Sequence, residues 1–214
     1  MSRFGNAPRP CFARLQRADE RTAAGTPAGV LSRGLARRAA MLKEAGDVLT
    51  VLPAPGEALH AIITGRYDLL HLVVALLDKL GHAPAVRIAT LSYNGRNLAE
   101  MLRLLDEGKV GSLTLLCSAF FRDHNKELWA ETLEDFRQRG QRAAAARSHA
   151  KVVTLATAGG RRLSLEGSAN LRTNSNREQF CLTEDAALHD WHAGWIDDLV
   201  NRHEGDGGDN PGPG

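Results

Sequence analysis

The sequence predicts an α/β fold, a mixed β-sheet flanked by helices. Three observations carry that expectation. Short β-type apolar runs alternate with segments whose apolar residues recur at the 3.6-residue helical period. Gly and Asn-Gly or Gly-Gly steps punctuate the alternation. The composition, 43% hydrophobic over 214 residues, is enough to fill the core of one domain.

The elements follow in order. Residues 31–46 (LSRGLARRAAMLKEAG) suit a short helix, and the runs 47–53 (DVLTVLP) and 58–64 (ALHAIIT) read as strands. Residues 66–80 have the period of a helix with a buried face, and Gly81 is placed to end it. A strand follows at 85–93 (AVRIATLSY). Asn94-Gly95 marks a turn, and a helix over 96–108 aligns Leu98, Met101, Leu102 and Leu105. Residues 112–120 (SLTLLCSAF) read as a strand, and 126–140 as a helix with Leu128, Trp129, Leu133 and Phe136 at helical spacing. Strands are expected at 147–157 and 161–168, joined through Gly159-Gly160, and again at 178–183. A last helix over 186–203 carries Leu188, Trp191, Trp195, Ile196 and Leu199, with the tryptophans read as core anchors. The folded domain is expected over 47–203, between a basic, largely flexible arm (1–46) and a disordered tail (204–214) rich in Gly and Pro.

Charge narrows the classes of partner. The whole chain balances 27 basic against 25 acidic residues, but residues 1–46 hold nine basic and three acidic, a local +6 on a slightly acidic body. That asymmetry hints at a polyanion, against the plainer reading of a solvated tail. At 5% aromatic residues the chain does not read as a stacking platform for single strands. Cys11, Cys117 and Cys181 form no C-x-x-C pair, and Cys117 and Cys181 sit in apolar runs, which fits a reducing, cytoplasmic setting. No apolar run is long enough to span a bilayer, and no stable membrane association is expected.

The chemistry concentrates in SHAKVVTLATAGGRRLSLEGSANLRTNSNREQF. His149 and Lys151 are two apart on an expected strand and so share a face. Ser168 and Asn170 repeat that step after the next strand, behind Gly167, and Asn176 and Glu178 repeat it again. Their types suit a phosphate. Lys151 supplies fixed charge. Ser168, Asn170 and Asn176 supply neutral polar groups. His149 supplies a nitrogen nucleophile or proton shuttle, and Glu178 is an acceptor able to orient a histidine ring. No cluster has metal-ligand spacing, so neither a metal nor another cofactor is expected.

H-x-K followed by G-S-x-N and N-x-E resembles the signature of the phospholipase D superfamily. The resemblance extends over a strand–helix–strand body of about 150 residues, and implies a phospholipase D-like α/β sandwich. It implies attack on phosphorus by His149, charge stabilisation by Lys151 and Asn170, and a hydrogen bond from Ser168 near the phosphate or the histidine. A second H-x-K histidine would protonate the leaving oxygen. This chain has one such motif, so the resemblance implies a homodimer, with a nucleic acid as partner and a metal-independent nuclease as the leading function. A binding protein without turnover is the alternative, and a phospholipid hydrolase ranks below both. One departure stands out: where the family places an aspartate five residues after the lysine, this chain has Ala156.

Other residues pose lesser choices. Arg122 and His124 sit on a strand-end loop where they would reach a phosphate, or Asp123 or Asn125 simply caps the next helix. Tyr93, Asn94 and Arg96 pose the same choice. Arg142, Arg147, Arg161, Arg162, Arg172 and Arg177 suggest a basic rim. His60 and His71 read as near-core residues. His189 and His192 share a helix face without a third metal ligand.

Overall fold

The computed structural model describes residues 30–63, 67–172 and 176–204, with side chains from residue 37 onward. The expected disorder at 1–29 and most of the 204–214 tail lie outside the described residues. The elements run α1 (Val30–Val48), β1 (Ala58–Ile63), α2 (Leu69–Leu80), β2 (Ala83–Thr90), α3 (Gly95–Asp106), β3 (Val110–Ser118), α4 (Ala119–His124), α5 (Lys126–Gln138), β4 (Arg142–Ala146), β5 (Val152–Ala156), β6 (Arg162–Gly167), β7 (Glu178–Glu184) and α6 (Ala186–His203).

The strands form one seven-stranded mixed sheet in the order β1-β7-β6-β5-β2-β3-β4. The β2–β3 and β3–β4 pairs are parallel, and the other four pairs are antiparallel. Alternation sorts the side chains. Ile88, Leu115, Val153, Leu155, Leu165 and Phe180 enter the main core, whereas Ala89, Leu116, Ala144 and Val152 face α6, against Ile196 and Val200. The expected α/β architecture with a mixed sheet between helices is what forms.

Four helix starts are set by side chains, that of α4 by Ser118, whose Oγ accepts from Phe121 N. Asp68 caps α2 and Asn94 caps α3, each in a reciprocal capping box with the residue three positions on, and Asp185 caps α6 by accepting from Leu188 N. The Asn94-Gly95 pair is therefore a helix start rather than a free turn.

Several expectations give way to packing. Residues 47–53 do not form a strand: Val48 ends α1, and Val48 and Leu49 are buried in the core. Ordered contacts reach upstream of residue 47, since Arg38 pairs with Glu100 at 2.7 Å and Ala45 is buried. The alanine-rich run 142–146 is strand β4, invisible to propensity because its small residues pack beneath helices on both faces. Trp191 is 65% exposed, not a core anchor. The buried face of α6 is instead His189, His192, Ala193, Ile196 and Val200. His60 is exposed as well, on the edge strand β1. Among the described residues no helix is long and apolar enough to cross a membrane.

Candidate active site

The sheet topology builds the site at one edge. The carboxyl ends of β1, β2, β3, β4 and β6 and the amino ends of β5 and β7 share that edge, as their pairings require. His149 and Lys151 do not lie within a strand, contrary to expectation: residues 147–151 link β4 to β5. Those strands are separated by β3 and β2, a gap of about 14 Å at ordinary strand spacing. The six backbone steps from Ala146 to Val152 span at most about 20 Å. The link therefore crosses the ends of β3 and β2 with some slack, taken up by a turn in which Ser148 N donates to Ala146 O at 2.8 Å, and His149 lies near its middle.

His149 is exposed and Lys151 is 8% exposed. Lys151 Nζ donates to His149 O at 2.7 Å and lies 2.8 Å from His149 Nδ1. Burial pushes the Lys151 pKa below its ordinary value, and the charge of Glu178 offsets this in part. With Lys151 charged, Nδ1 must accept, so the proton of a neutral ring sits on Nε2. For Nε2 to attack, the ammonium must turn away from Nδ1, and a phosphate oxygen is the acceptor that would draw it.

The GSAN segment approaches from β6. Lys151 O accepts from Gly167 N at 3.1 Å, which continues the β5–β6 ladder into the site. Gly167 has no room for a side chain, since a Cβ there would sit 2.4 Å from Gln179 O and 3.2 Å from Phe180 Cα. That close approach lets Ser168 N donate to Gln179 O and Ser168 Oγ accept from Gln179 N, each at 3.1 Å. Ser168 Oγ also donates to Glu178 Oε2. Ser168 and Glu178, ten residues apart in sequence, are thus one unit. Asn170 is half-buried, and its Oδ1 has no hydrogen-bond partner, so the fold does not consume that atom. Asn176 is exposed beside Arg177 at the end of the same loop.

A buried polar network that the sequence reading missed holds this loop. Asn97 Nδ2 donates to Leu171 O at 2.9 Å and lies 3.3 Å from Asp68 Oδ2. Asp68 Oδ1 is 2.5 Å from His71 Nδ1. Leu171 N reaches Thr90 Oγ1 at 3.4 Å, and that hydroxyl donates to Ser92 O. Asp68, Thr90 and Asn97 are all buried. The available signal was Asn97 itself, a polar residue within an otherwise apolar helix face.

The remaining candidates divide. Arg147, Arg172 and Arg177 are exposed on the site edge. Arg142, Arg161 and Arg162 begin or precede strands at the opposite edge and pair there with Glu204, Glu184 and Asp190, so the expected basic rim is smaller than the sequence suggested. Arg122 pairs with its neighbour Asp123. Asn125 makes no side-chain cap to α5, and its Nδ2 donates to Phe121 O instead. Ala156 ends β5 opposite Ala85, about 13 Å along the strand from Val152. The family's aspartate position is thus remote from His149. Among the described residues no group of three or more His, Cys, Asp or Glu side chains is arranged to hold a metal ion.

No family model and no curated protein matches the sequence. Solved structures do. A phospholipase D family member, Nuc from Salmonella typhimurium, is 12% identical, with 69% of this chain and 97% of that one covered at a TM-score of 0.49. NucT from Helicobacter pylori is 15% identical, with 69% and 99% covered at 0.49. Phosphatidylserine synthase from Haemophilus influenzae is 11% identical, with 69% and 39% covered at 0.47. Phospholipase D family members are thus among the structure neighbours of this fold, while the catalytic reading rests on the chain's own residues.

Proposed function

We propose that this protein is a metal-independent phosphodiesterase acting on a nucleic acid as a homodimer, through a phosphohistidine. The supporting observation is the joining of His149, Lys151, Ser168, Asn170 and Glu178 at one sheet edge, with Lys151 against the histidine ring. The chemistry follows from those groups. Once Lys151 turns to the phosphate and the ring proton has moved to Nδ1, Nε2 of His149 attacks phosphorus and a P–N bond forms as the bond to the leaving oxygen breaks. The histidine of a second copy gives that oxygen its proton. Water then attacks phosphorus, loses its proton to the second histidine, and the P–N bond breaks. Lys151 and Asn170 stabilise the non-bridging oxygens, and Ser168 with Asn176 contacts the phosphate. Glu178, held by Ser168, balances Lys151 and is available to a histidine ring. The exposed Arg147, Arg172 and Arg177 suit a polyanionic strand. The cysteine usage suits a cytoplasmic setting.

His149→Ala should abolish EDTA-resistant cleavage of nucleic acid and leave thermal unfolding unchanged. Undiminished cleavage by the purified variant would remove His149 from the mechanism. The single H-x-K motif, more than the remote Ala156, motivates a second reading, a binding protein without turnover. Salt-sensitive binding by the wild type with no cleavage would decide for it.

A further inference from the structure

Phe120 is an anomaly at the site edge. It is 65% exposed, in a helix whose next residue, Phe121, is buried with its ring 4.3 Å from that of Tyr93. Ser118 Oγ accepts from Phe121 N at 2.9 Å, which fixes the start of α4 and turns Phe120 outward. The exposed ring is not loose. His124 lies against it, with centroids 4.0 Å apart and planes 29° apart, and His124 Nδ1 is 2.8 Å from Phe120 O. Two rings are thus stacked and pinned in place before any ligand arrives. Their position is also specific. Ser118 and Ala146 are register partners, so α4 and the 147–151 link carrying His149 leave neighbouring strand ends on the same edge.

We propose that Phe120, backed by His124, is a stacking face for one nucleobase of a single strand whose phosphodiester lies at His149 and Lys151. The proposal rests on the nucleic-acid reading above and names its substrate class. Stacking on a fixed ring needs a base freed from its neighbours, which a single strand supplies and an intact duplex does not. The low aromatic content of the chain does not oppose this, because one well-placed ring pair suffices for one base.

The test is binding of a short single-stranded oligodeoxynucleotide carrying 2-aminopurine, measured in the full chain with His149→Ala to prevent turnover. An otherwise identical strand with abasic positions serves as the base-free control. Phe120→Ala should weaken the base-bearing strand by about 5- to 150-fold and cancel the 2-aminopurine quenching. It should leave the abasic strand and the unfolding temperature unchanged, and Phe120→Trp should retain binding. Equal losses for both strands, or none for either, would overturn the stacking face. So would conversion of a dimer to a monomer by Phe120→Ala, which would assign the ring to a subunit contact. The two proposals fail separately. Wild-type cleavage indifferent to Phe120 would sink only the stacking face, and Phe120-dependent binding without wild-type cleavage would sink only the hydrolase. Absence of binding to either strand would overturn the stacking face outright.

Discussion

At the scale of single residues, Lys151 is poised against the stability of its own fold. Burial disfavours its charged form, and its pKa lies below the ordinary lysine value. Below that ordinary value the charged ammonium is favoured more in the unfolded chain than in the folded one, so the fold bears a cost that fades only as pH rises. A bound phosphate reverses the balance by supplying an opposite charge. Lys151→Met should therefore leave the unfolding temperature unchanged or raised, while activity falls by about 10²–10³-fold, the scale of losing one transition-state donor. Differential scanning fluorimetry beside a cleavage assay checks both halves, and a large drop in unfolding temperature would contradict the account. Gly167 is constrained differently. Its α-carbon faces Gln179 O too closely for a methyl group, so Gly167→Ala must push β6 and β7 apart where Ser168 meets Glu178. The expected cost is about 1–3 kcal/mol of stability, as for overpacking, with an additional loss of activity. Chemical denaturation measures the first, and a neutral outcome would show that the strands yield freely.

At the scale of elements, α1 is fastened to α3 through Glu100. Burial pushes the Glu100 carboxyl up, but hydrogen bonds and charge from Arg38 and Arg103 outweigh that and hold its pKa at about 2. A depressed carboxylate stabilises the fold above its unfolded value and loses that contribution as pH falls through the folded value. The window is therefore roughly pH 4.5 down to 2. Glu100→Gln should cost about 1–2 kcal/mol at neutral pH, allowing for screening at the partly exposed Arg38, and almost nothing near pH 2. Denaturation curves at both pH values test this, and a pH-independent difference would assign the effect to packing. The same scale explains one misread segment and one left unassigned. Val48 and Leu49 look like part of a strand in sequence, yet they lie at the end of a helix packed on α2. The 142–146 run looks like neither helix nor strand, and only the space between α5 and α6 makes it β4.

At the scale of the whole molecule, one chain has one H-x-K histidine, and the proposed reaction needs two. A dimer of this 214-residue chain should sediment at twice its 23.2 kDa mass. Wild type mixed through refolding with an equal amount of His149→Ala should retain about a quarter of the activity, because only pairs with both histidines complete the cycle. Half the activity would mean that each chain works alone.

The sequence by itself determined the α/β class and most helices, and it named the residues of the candidate site, because periodicity, caps and the H-x-K and G-S-x-N spacings are local. The tertiary structure decided what each residue can do. Strand order carries residues 147–151 across two strand ends, so His149 stands in a connecting link rather than on a strand. Pairing of β6 with β7 joins Ser168 to Glu178, and burial of Asn97 against Leu171 O fixes the loop that bears Asn170. Strand order also sends Arg142, Arg161 and Arg162 to the far edge and Phe120 to the near one. These are relations between segments distant in sequence, and no local pattern encodes which strand ends meet.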